Sequence, residues 1–214
     1  LLTAFMAPLG NFIFASYISN FSSGMMGYSL AEVASELGAE VTLVSGPVSL
    51  NSPAGVRVVD VESASEMYEE VISVMDNMDI IIGTAAVADY KPAVYANQKV
   101  KKQEGDSTLE LTRTKDILAE VGKRKTGQIL VGFAAETIHV DEYAKKKLVK
   151  KNADMIVANN VTQEGAGFGT DTNIVTLFTK NGDCKELPIL SKKEVAREIF
   201  KEIESLLANK DDSL

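Results

Sequence analysis

The chain has 214 residues, of which 45% are hydrophobic and 24% charged, and a formal net charge of −8. The composition is that of an ordinary globular protein, and the acidic balance argues against nucleic acid as a partner, because nucleic-acid-binding domains carry excess Lys and Arg. No apolar run approaches the roughly 20 residues that cross a bilayer, so we expect a soluble protein without a membrane partner.

Cysteine and histidine are nearly absent, since the sequence contains only Cys184 and His139. One cysteine cannot form an intrachain disulfide, which fits a cytoplasmic location best. One histidine and one cysteine cannot build a zinc cluster. We therefore expect no metal site made from protein side chains. We also expect no Ser/His/Asp or Cys/His catalytic set around His139.

Helical and strand patterns alternate along the first half of the chain. Apolar residues at helical spacing predict a helix over 28–38, and a Val- and Leu-rich run predicts a strand over 40–45. A second strand is expected over 56–61, followed by a helix that opens with the capping box Ser63-x-x-Glu66. The nearly unbroken apolar run 80–87 is typical of a central strand buried on both faces.

The second half continues this alternation. The expected elements are helices over 116–121 and 140–151, strands over 129–134 and 154–158, and a hairpin of 173–178 with 184–188 around Asn181-Gly182. A second capping box, Ser191-x-x-Glu194, opens a final helix that is expected to end near Leu207. The pattern predicts a single α/β domain over 1–208 and a polar tail over 209–214. Its fold class is a doubly wound, Rossmann-like, mainly parallel sheet with helices on both faces and a C-terminal β-hairpin.

Ligands of such sheets bind beyond the carboxyl ends of the strands, so the loops there are the first candidates for a site. The loop 18–27 contains Ser22, Ser23 and Gly24 before a helix, where backbone N–H groups can bind a phosphate or carboxylate. An ordinary N-cap turn has the same composition. Asp89 ends the run 83–89 of small residues and could accept hydrogen bonds from a sugar or base, or could be a plain turn residue.

Basic and aromatic residues provide further candidates. Lys99, in the basic segment 99–102, could bind a transferring phosphate or belong to a solvated edge strand. Phe133 could stack on a base or lie buried in its strand. Lys147 and Lys151 are four apart and share a helical face, which could hold one polyphosphate or could be a solvated surface. Together these residues favour a site for an anionic nucleotide, although the chain has no Walker A loop and no G-x-G-x-x-G fingerprint.

Six ordered motifs resemble the phosphopantothenoylcysteine synthetase family. They are ISNFSSGMMG at 18–27, VTLVSGPV at 41–48, AAVADY at 85–90, KVKK at 99–102, VGFAAET at 131–137 and DMIVAN at 154–159. The resemblance implies a ligase that uses CTP and Mg2+ to join cysteine to 4'-phosphopantothenate through an acyl-cytidylate. It also implies a homodimer and, in many bacteria, an N-terminally fused flavin-dependent decarboxylase.

The same resemblance implies roles for individual residues. Asn20 and Lys99 would be catalytic, with Asn20 holding the acyl-cytidylate and Lys99 steadying charge on the α-phosphate. Phosphopantothenate would bind at Asn20, Ser22, Ser23 and Gly24. CTP would contact Asp89, Lys99, Lys115, Asp116, Ile117, Leu118, Phe133, Lys147 and Lys151, and the segment from 99 to about 107 would close over the site.

The first 16 residues and Met25 depart from the family pattern. Phe5 and Met6 stand where the family has glycines, and Met25 stands where it usually has a lysine. A catalytically impaired nucleotide-binding module is therefore an alternative to the ligase. A nicotinamide-dependent reductase is a third interpretation, which the missing glycine fingerprint disfavours.

Overall fold

A β-sheet of eight strands lies at the centre of the computed structural model, which describes residues 2–4, 20, 22–94, 108–136, 140–160 and 171–211. In chain order the strands, including two shorter pairs, are β1 (Leu2–Ala4), β2 (Val41–Ser45), β3 (Val56–Asp60), β4 (Ile80–Gly83), β5 (Tyr90–Pro92), β6 (Leu111–Arg113), β7 (Ile129–Glu136), β8 (Met155–Asn160), β9 (Thr172–Asn173), β10 (Val175–Thr179), β11 (Cys184–Glu186) and β12 (Leu190–Ser191). The α-helices in these ranges are α1 (Met25–Glu36), α2 (Ala64–Val74), α3 (Ile117–Arg124), α4 (Val140–Lys151) and α5 (Lys192–Asp211).

The central sheet has the strand order β11-β10-β8-β7-β4-β1-β2-β3. Strands β8, β7, β4, β1, β2 and β3 run parallel, and β10 and β11 close one edge in antiparallel pairing. The two short pairs are β5 with β6 and β9 with β12. The predicted doubly wound, mainly parallel sheet with a C-terminal hairpin is confirmed.

Helices cover both faces of the sheet and divide the core into two clusters. On one face α1 and α5 bury Leu30, Val33 and Ile199 against the strands. On the other face α2, α3 and α4 bury Met67 and Leu148. None of the helices in the described ranges is both long and apolar enough to span a bilayer.

Local sequence signals set several element ends. The capping box of Ser63 and Glu66 forms at the start of α2, with the Glu66 N–H donating to Ser63 Oγ at 3.2 Å. Ser191 and Glu194 make the equivalent bonds at the start of α5. Gly182 has a φ of +95° in the turn of the β10–β11 hairpin, a backbone conformation that glycine adopts without strain. These predictions are confirmed.

Two element ends lie furthest from their predicted positions. The strand expected over 80–87 stops at Gly83, and beyond it the carbonyl groups of Ala86 and Val87 accept from the side chain of Asn20. The final helix continues to Asp211 rather than ending near Leu207, and the Lys210 ammonium group donates to the Gly127 carbonyl. The expected polar tail therefore begins inside a helix.

Asp154 is a buried carboxylate that links four parts of the fold. It lies just before β8 with 1% of its side chain exposed, and it bonds the ammonium groups of Lys125 and Lys180, the latter at 2.5 Å. Its Oδ2 also accepts the Leu130 N–H at 2.8 Å. The interaction thus ties the end of α3, strand β7 and the β10–β11 hairpin to the start of β8.

The Asp154→Asn variant should lower the free energy of unfolding by about 3 kcal/mol, because it removes the counter-ion of the largely buried Lys125. Urea denaturation at pH 7 measures this loss. Glu142→Gln is the control, since the Glu142–Lys146 pair is exposed and its removal should leave the unfolding midpoint unchanged. Equal midpoints for the two variants would contradict the structural role of Asp154.

The free energy of unfolding should also depend on pH through the ionisation of Asp154. Burial alone would raise the pKa of Asp154, but hydrogen bonds from Lys125 and Lys180 outweigh it and hold the pKa below its ordinary value. The folded pKa is therefore below the unfolded value of about 4, and the stabilisation is complete above that pH and lost as the pH falls through the folded pKa. Below about pH 4 the wild-type protein should lose stability more steeply than Asp154→Asn.

Helices α3 and α4 approach closely at Gly122. A methyl group on Gly122 would lie 1.8 Å from the carbonyl oxygen of Lys151, the last residue of α4. The carbonyl of Gly122 accepts the Asn152 side-chain amide at 2.8 Å, which holds the two chain segments together. Only a residue without Cβ permits this contact.

The Gly122→Ala variant should lower the free energy of unfolding by about 1–3 kcal/mol, because α3 and α4 must separate to admit the methyl group. Gly127→Ala is the matched control, since nothing lies within 4 Å of its added methyl group. The control should be neutral or stabilising by up to about 1 kcal/mol through the unfolded chain. Thermal and urea unfolding distinguish the variants, and equal stability of both would refute the close approach.

Candidate functional site

Two adjoining cavities open at the carboxyl ends of the central parallel strands. Their volumes are about 410 Å3 and about 190 Å3. Five residues line both cavities. Ala85, Val87 and Asp89 follow β4, Phe133 lies in β7 and Lys147 lies in α4. The cavities therefore meet beside the ends of β4 and β7.

The topology of the sheet explains why the cavities lie beside the ends of β4 and β7. Strand β1 pairs with β2 on one side and with β4 on the other, so the chain reverses its direction of travel across the sheet between β3 and β4. At such a reversal the loops after neighbouring strands turn to opposite faces and leave a crevice. The smaller cavity lies on the face covered by α2, α3 and α4, and the larger one reaches the start of α1 and α5.

The smaller cavity has an apolar base and a polar rim. Met67, Val71 and Val121 line its base, where a flat ring can be buried. The rim is the segment 115–118, in which Asp116 caps α3 by accepting the Ala119 N–H at 3.0 Å. The Lys115 ammonium group lies 4.1 Å from the centroid of the Tyr68 ring, a cation–π contact that fixes this turn against α2.

Lys147 and Lys151 both face the smaller cavity from α4, as their spacing predicts. Lys147 also lines the larger cavity, and its ammonium group donates to the Phe133 carbonyl at 3.1 Å. Lys151 forms an ion pair with Asp116. Burial alone would raise the pKa of Asp116, but the bond from Lys151 and the Ala119 N–H outweigh it and lower the pKa.

The larger cavity is lined by the loop before α1. Asn20 donates its side-chain amide to the carbonyl of Ala86 at 3.1 Å and approaches that of Val87 at 3.4 Å, which joins this loop to the loop after β4. Gly24 has a φ of +70°, and a methyl group there would lie 2.9 Å from Val48 Cγ1. Glycine is therefore needed where the chain enters α1.

The electrostatics at the start of α1 favour an anion. Ser22, Ser23 and Gly24 line the cavity here, and the helix has neither a side-chain cap nor an acidic residue in its first turn. Backbone N–H groups of a first helical turn have no intrahelical acceptor, and the helix dipole adds positive potential. Met25 also lines the cavity, so this departure from the family pattern falls on the site itself.

Most predicted site residues come together here. Lining one or both cavities are Asn20, Ser22, Ser23, Gly24, Asp89, Lys115, Asp116, Ile117, Leu118, Phe133, Lys147 and Lys151. Lys99 and the segment expected to close over the site lie outside the described residues, as do Phe5 and Met6. The roles that the resemblance implies for these residues stay predictions.

Four polar residues of the larger cavity were not predicted as site residues: Thr84, Asn159, Asn173 and Lys192. Asn159 ends the motif 154–159, so its place after β8 was a usable signal. Asn173 and Lys192 meet through the β9–β12 pair, which brings together parts of the chain far apart in sequence. No short-range pattern could have identified them.

No cluster of three or more His, Cys, Asp or Glu side chains that could hold a metal ion occurs within the described ranges. Asp89 is the acidic residue that lines both cavities. A divalent cation at this site could therefore bind through the oxygens of a phosphorylated ligand with one carboxylate nearby.

Comparison with known proteins identifies the family. Residues 15–207 match the family described as the DNA/pantothenate metabolism flavoprotein C-terminal domain. The coenzyme A biosynthesis bifunctional protein CoaBC of Bacillus subtilis is 56% identical over 191 residues, which cover 89% of this chain and 47% of that protein. The chain thus spans about half the length of the curated relatives it matches.

Solved structures agree with this match. The C-terminal domain of a CoaBC protein has 47% sequence identity and a TM-score of 0.77, with 97% of this chain and 94% of that chain covered. A Cab2 mutant in complex with phosphopantothenate-cysteine has a TM-score of 0.74, and the match covers 98% of this chain and 87% of that chain. Because the sequence identity is only 14%, this likeness supports the fold alone. The chain belongs to the DNA/pantothenate metabolism flavoprotein C-terminal domain family.

Proposed function

We propose that this chain is a ligase of coenzyme A biosynthesis that joins cysteine to 4'-phosphopantothenate with CTP as the activating nucleotide. The observation that carries the proposal is the pair of cavities that meet at Asp89, Phe133 and Lys147. A reaction between a nucleotide and a second anionic substrate requires the two to be held side by side, and a cation shared by both sites reduces the repulsion between their charges. The name of the Bacillus subtilis relative supports the biosynthetic route.

The two cavities differ in a way that suggests their occupants. The smaller one, with an apolar base and the lysines of α4 at its rim, suits a nucleobase and its phosphates. The larger one is lined by the start of α1 and by Asn20, and it suits the longer 4'-phosphopantothenate. The reacting carboxylate and the α-phosphate would then meet at the shared wall beside Lys147.

The proposed reaction has two steps. In the first, a carboxylate oxygen of 4'-phosphopantothenate attacks the α-phosphorus of CTP, the bond to the bridging oxygen breaks, and pyrophosphate leaves. In the second, the amine of cysteine attacks the acyl carbon of the acyl-cytidylate, CMP leaves, and the amine loses a proton. Activation is needed because a free carboxylate is a poor acyl donor.

Residues of the chain have defined tasks in this proposal. Asn20 holds the acyl-cytidylate, and Lys99 steadies negative charge on the α-phosphate. Lys147 and Lys151 bind the triphosphate, and Mg2+ shares its charge when bound with the nucleotide. The Lys115–Leu118 turn and Phe133 contact the nucleotide, while Ser22, Ser23 and Gly24 contact phosphopantothenate.

Three further expectations belong to the whole protein. Because the chain covers 47% of a relative named bifunctional, we include a fused flavin-dependent decarboxylase domain in the proposal. We also include a homodimer, and exposed apolar side chains such as Tyr90 and Leu111 on the β5–β6 pair are available for contacts. We also include a cytoplasmic location, which fits the single cysteine of the chain.

Pyrophosphate release in the presence of CTP, Mg2+, cysteine and 4'-phosphopantothenate tests the proposal. We expect release that requires 4'-phosphopantothenate, and CMP formation that requires cysteine as well. Replacing CTP with ATP should lower the rate, and chelating Mg2+ should abolish it. CTP binding without turnover would identify a nucleotide-binding module instead, and reduction of a substrate by NAD(P)H would identify a reductase.

The Lys147→Met variant should raise the KM for CTP by about 10- to 100-fold, because it removes one charge-assisted hydrogen bond to phosphate. Lys146→Met is the matched control, since Lys146 is the neighbouring residue of α4 and its exposed side chain pairs with Glu142. Steady-state kinetics over a range of CTP concentrations measure the difference. If the two variants have the same KM, Lys147 does not bind the nucleotide.

A further inference from the structure

The loop 84–89 between β4 and β5 is a wall that the two cavities share. Ala85, Val87 and Asp89 of this loop line both of them. Because β4 ends at Gly83, the ladder bonds of the central sheet do not continue along the loop. The conformation of the wall therefore depends on the groups that bond its backbone from outside the sheet.

Two residues donate to four consecutive carbonyl groups of this wall, those of residues 86–89. Asn20 bonds the first two with its side-chain amide, at 3.1 and 3.4 Å. Thr114 bonds the other two, since its hydroxyl donates to the Ala88 carbonyl at 2.5 Å and its backbone N–H to the Asp89 carbonyl at 2.9 Å. Asn20 lines the larger cavity and Thr114 the smaller one, so the wall is held from both sides.

Thr114 also connects the wall to the rim of the smaller cavity. It directly follows β6 and directly precedes the rim segment 115–118. The rim is fixed to α2 by the contact of Lys115 with the Tyr68 ring, and to α3 by the cap that Asp116 provides. The two bonds of Thr114 therefore set the distance between the rim and the wall.

The same two bonds fix the backbone on both sides of Asp89. The Ala88 carbonyl belongs to the peptide plane before the Cα atom of Asp89, and the Asp89 carbonyl belongs to the plane after it. Since a peptide unit is planar, holding both carbonyl groups restricts the two dihedral angles between the planes. Those angles determine the direction in which the Asp89 side chain leaves the wall.

We propose that Thr114 is a positioning residue that holds Asp89 in the orientation that binds the nucleotide. This inference rests on the proposed function, in which Asp89 contacts CTP. The Thr114 hydroxyl is engaged by the Ala88 carbonyl, so it acts through the wall and not on the reacting atoms. Thr114 thus adds to the nucleotide side of the site the kind of support that Asn20 gives from the other side.

The Thr114→Val variant tests this role, because it removes the hydroxyl and keeps the side-chain shape and the backbone N–H. We expect the KM for CTP to rise about 3- to 10-fold, as for the net loss of one hydrogen bond, with kcat within about twofold of wild type. Thr112→Val is the matched control, since Thr112 lies two residues earlier in β6, is exposed and lines neither cavity. It should behave as wild type, and Thr114→Ser, which keeps a hydroxyl, should stay within about twofold of wild type.

A double-mutant cycle with Asp89→Asn separates positioning from a general structural role. Asp89→Asn alone should raise the KM for CTP, and adding Thr114→Val should then raise it by less than about twofold, because the two changes act on one interaction. If the two effects multiply, Thr114 does not act through Asp89 and the inference is wrong. Equal KM values for Thr114→Val and Thr112→Val would also overturn it, as would a loss confined to kcat.

Failure of the proposed function gives a different result. If the wild-type protein releases no pyrophosphate, the ligase proposal fails, and calorimetric titration with CTP then decides the inference alone. Weaker CTP binding in Thr114→Val, with no further weakening in the Asp89→Asn background, supports it. Equal binding by Thr114→Val and wild type overturns it, and so does a wild-type protein that binds no CTP. Urea denaturation verifies the folding of each variant, and Thr114→Ala replaces Thr114→Val if the latter does not fold.

Discussion

The reversal of strand order between β1 and β4 is the constraint on which the site depends. Because β4 lies on the opposite side of β1 from β2, the chain segments after these strands diverge to different faces of the sheet. The amide of Asn20 spans the resulting gap and bonds the loop after β4. The ends of β4 and β7 therefore form a wall with one cavity on either side, and a group on this wall can act on ligands in both.

Contacts at the carboxyl end of α4 position the lysines of this helix. The contact at Gly122 brings α3 against the carboxyl end of α4, and Asp154 joins the end of α3 to the strand that follows α4. Neither Gly122 nor Asp154 lines a cavity. Packing beside the cavities thus helps to set where Lys147 and Lys151 place their charge.

Local signals made much of the fold predictable. The capping boxes at Ser63 and Ser191, the hairpin at Asn181-Gly182 and the spacing of Lys147 and Lys151 depend on residues close in sequence, and the structure has them where expected. The end of β4 was missed because the small apolar residues after Gly83 resemble a continuing strand. In the structure the carbonyl groups of Ala86 and Val87 bond Asn20, which lies more than 60 residues earlier.

The burial of Lys192 in the site could not be predicted from nearby residues either. In the sequence it is an ordinary lysine next to a helix cap, with another lysine beside it. Its burial arises from contacts with Thr172 and Asn173, whose position depends on the β9–β12 pair. Propensity and periodicity describe neither contact, so its place in the cavity required the three-dimensional structure.

The ion pair between Asp116 and Lys151 affects how strongly the smaller cavity can hold an anion. One of its oxygens caps α3 and the other pairs with Lys151, so the charge of that lysine is already compensated before a ligand arrives. In the proposed function, a phosphate bound at Lys151 would compete with this carboxylate for the ammonium group. The contribution of Lys151 would then be the difference between two ion pairs, which favours an occupant that can leave again.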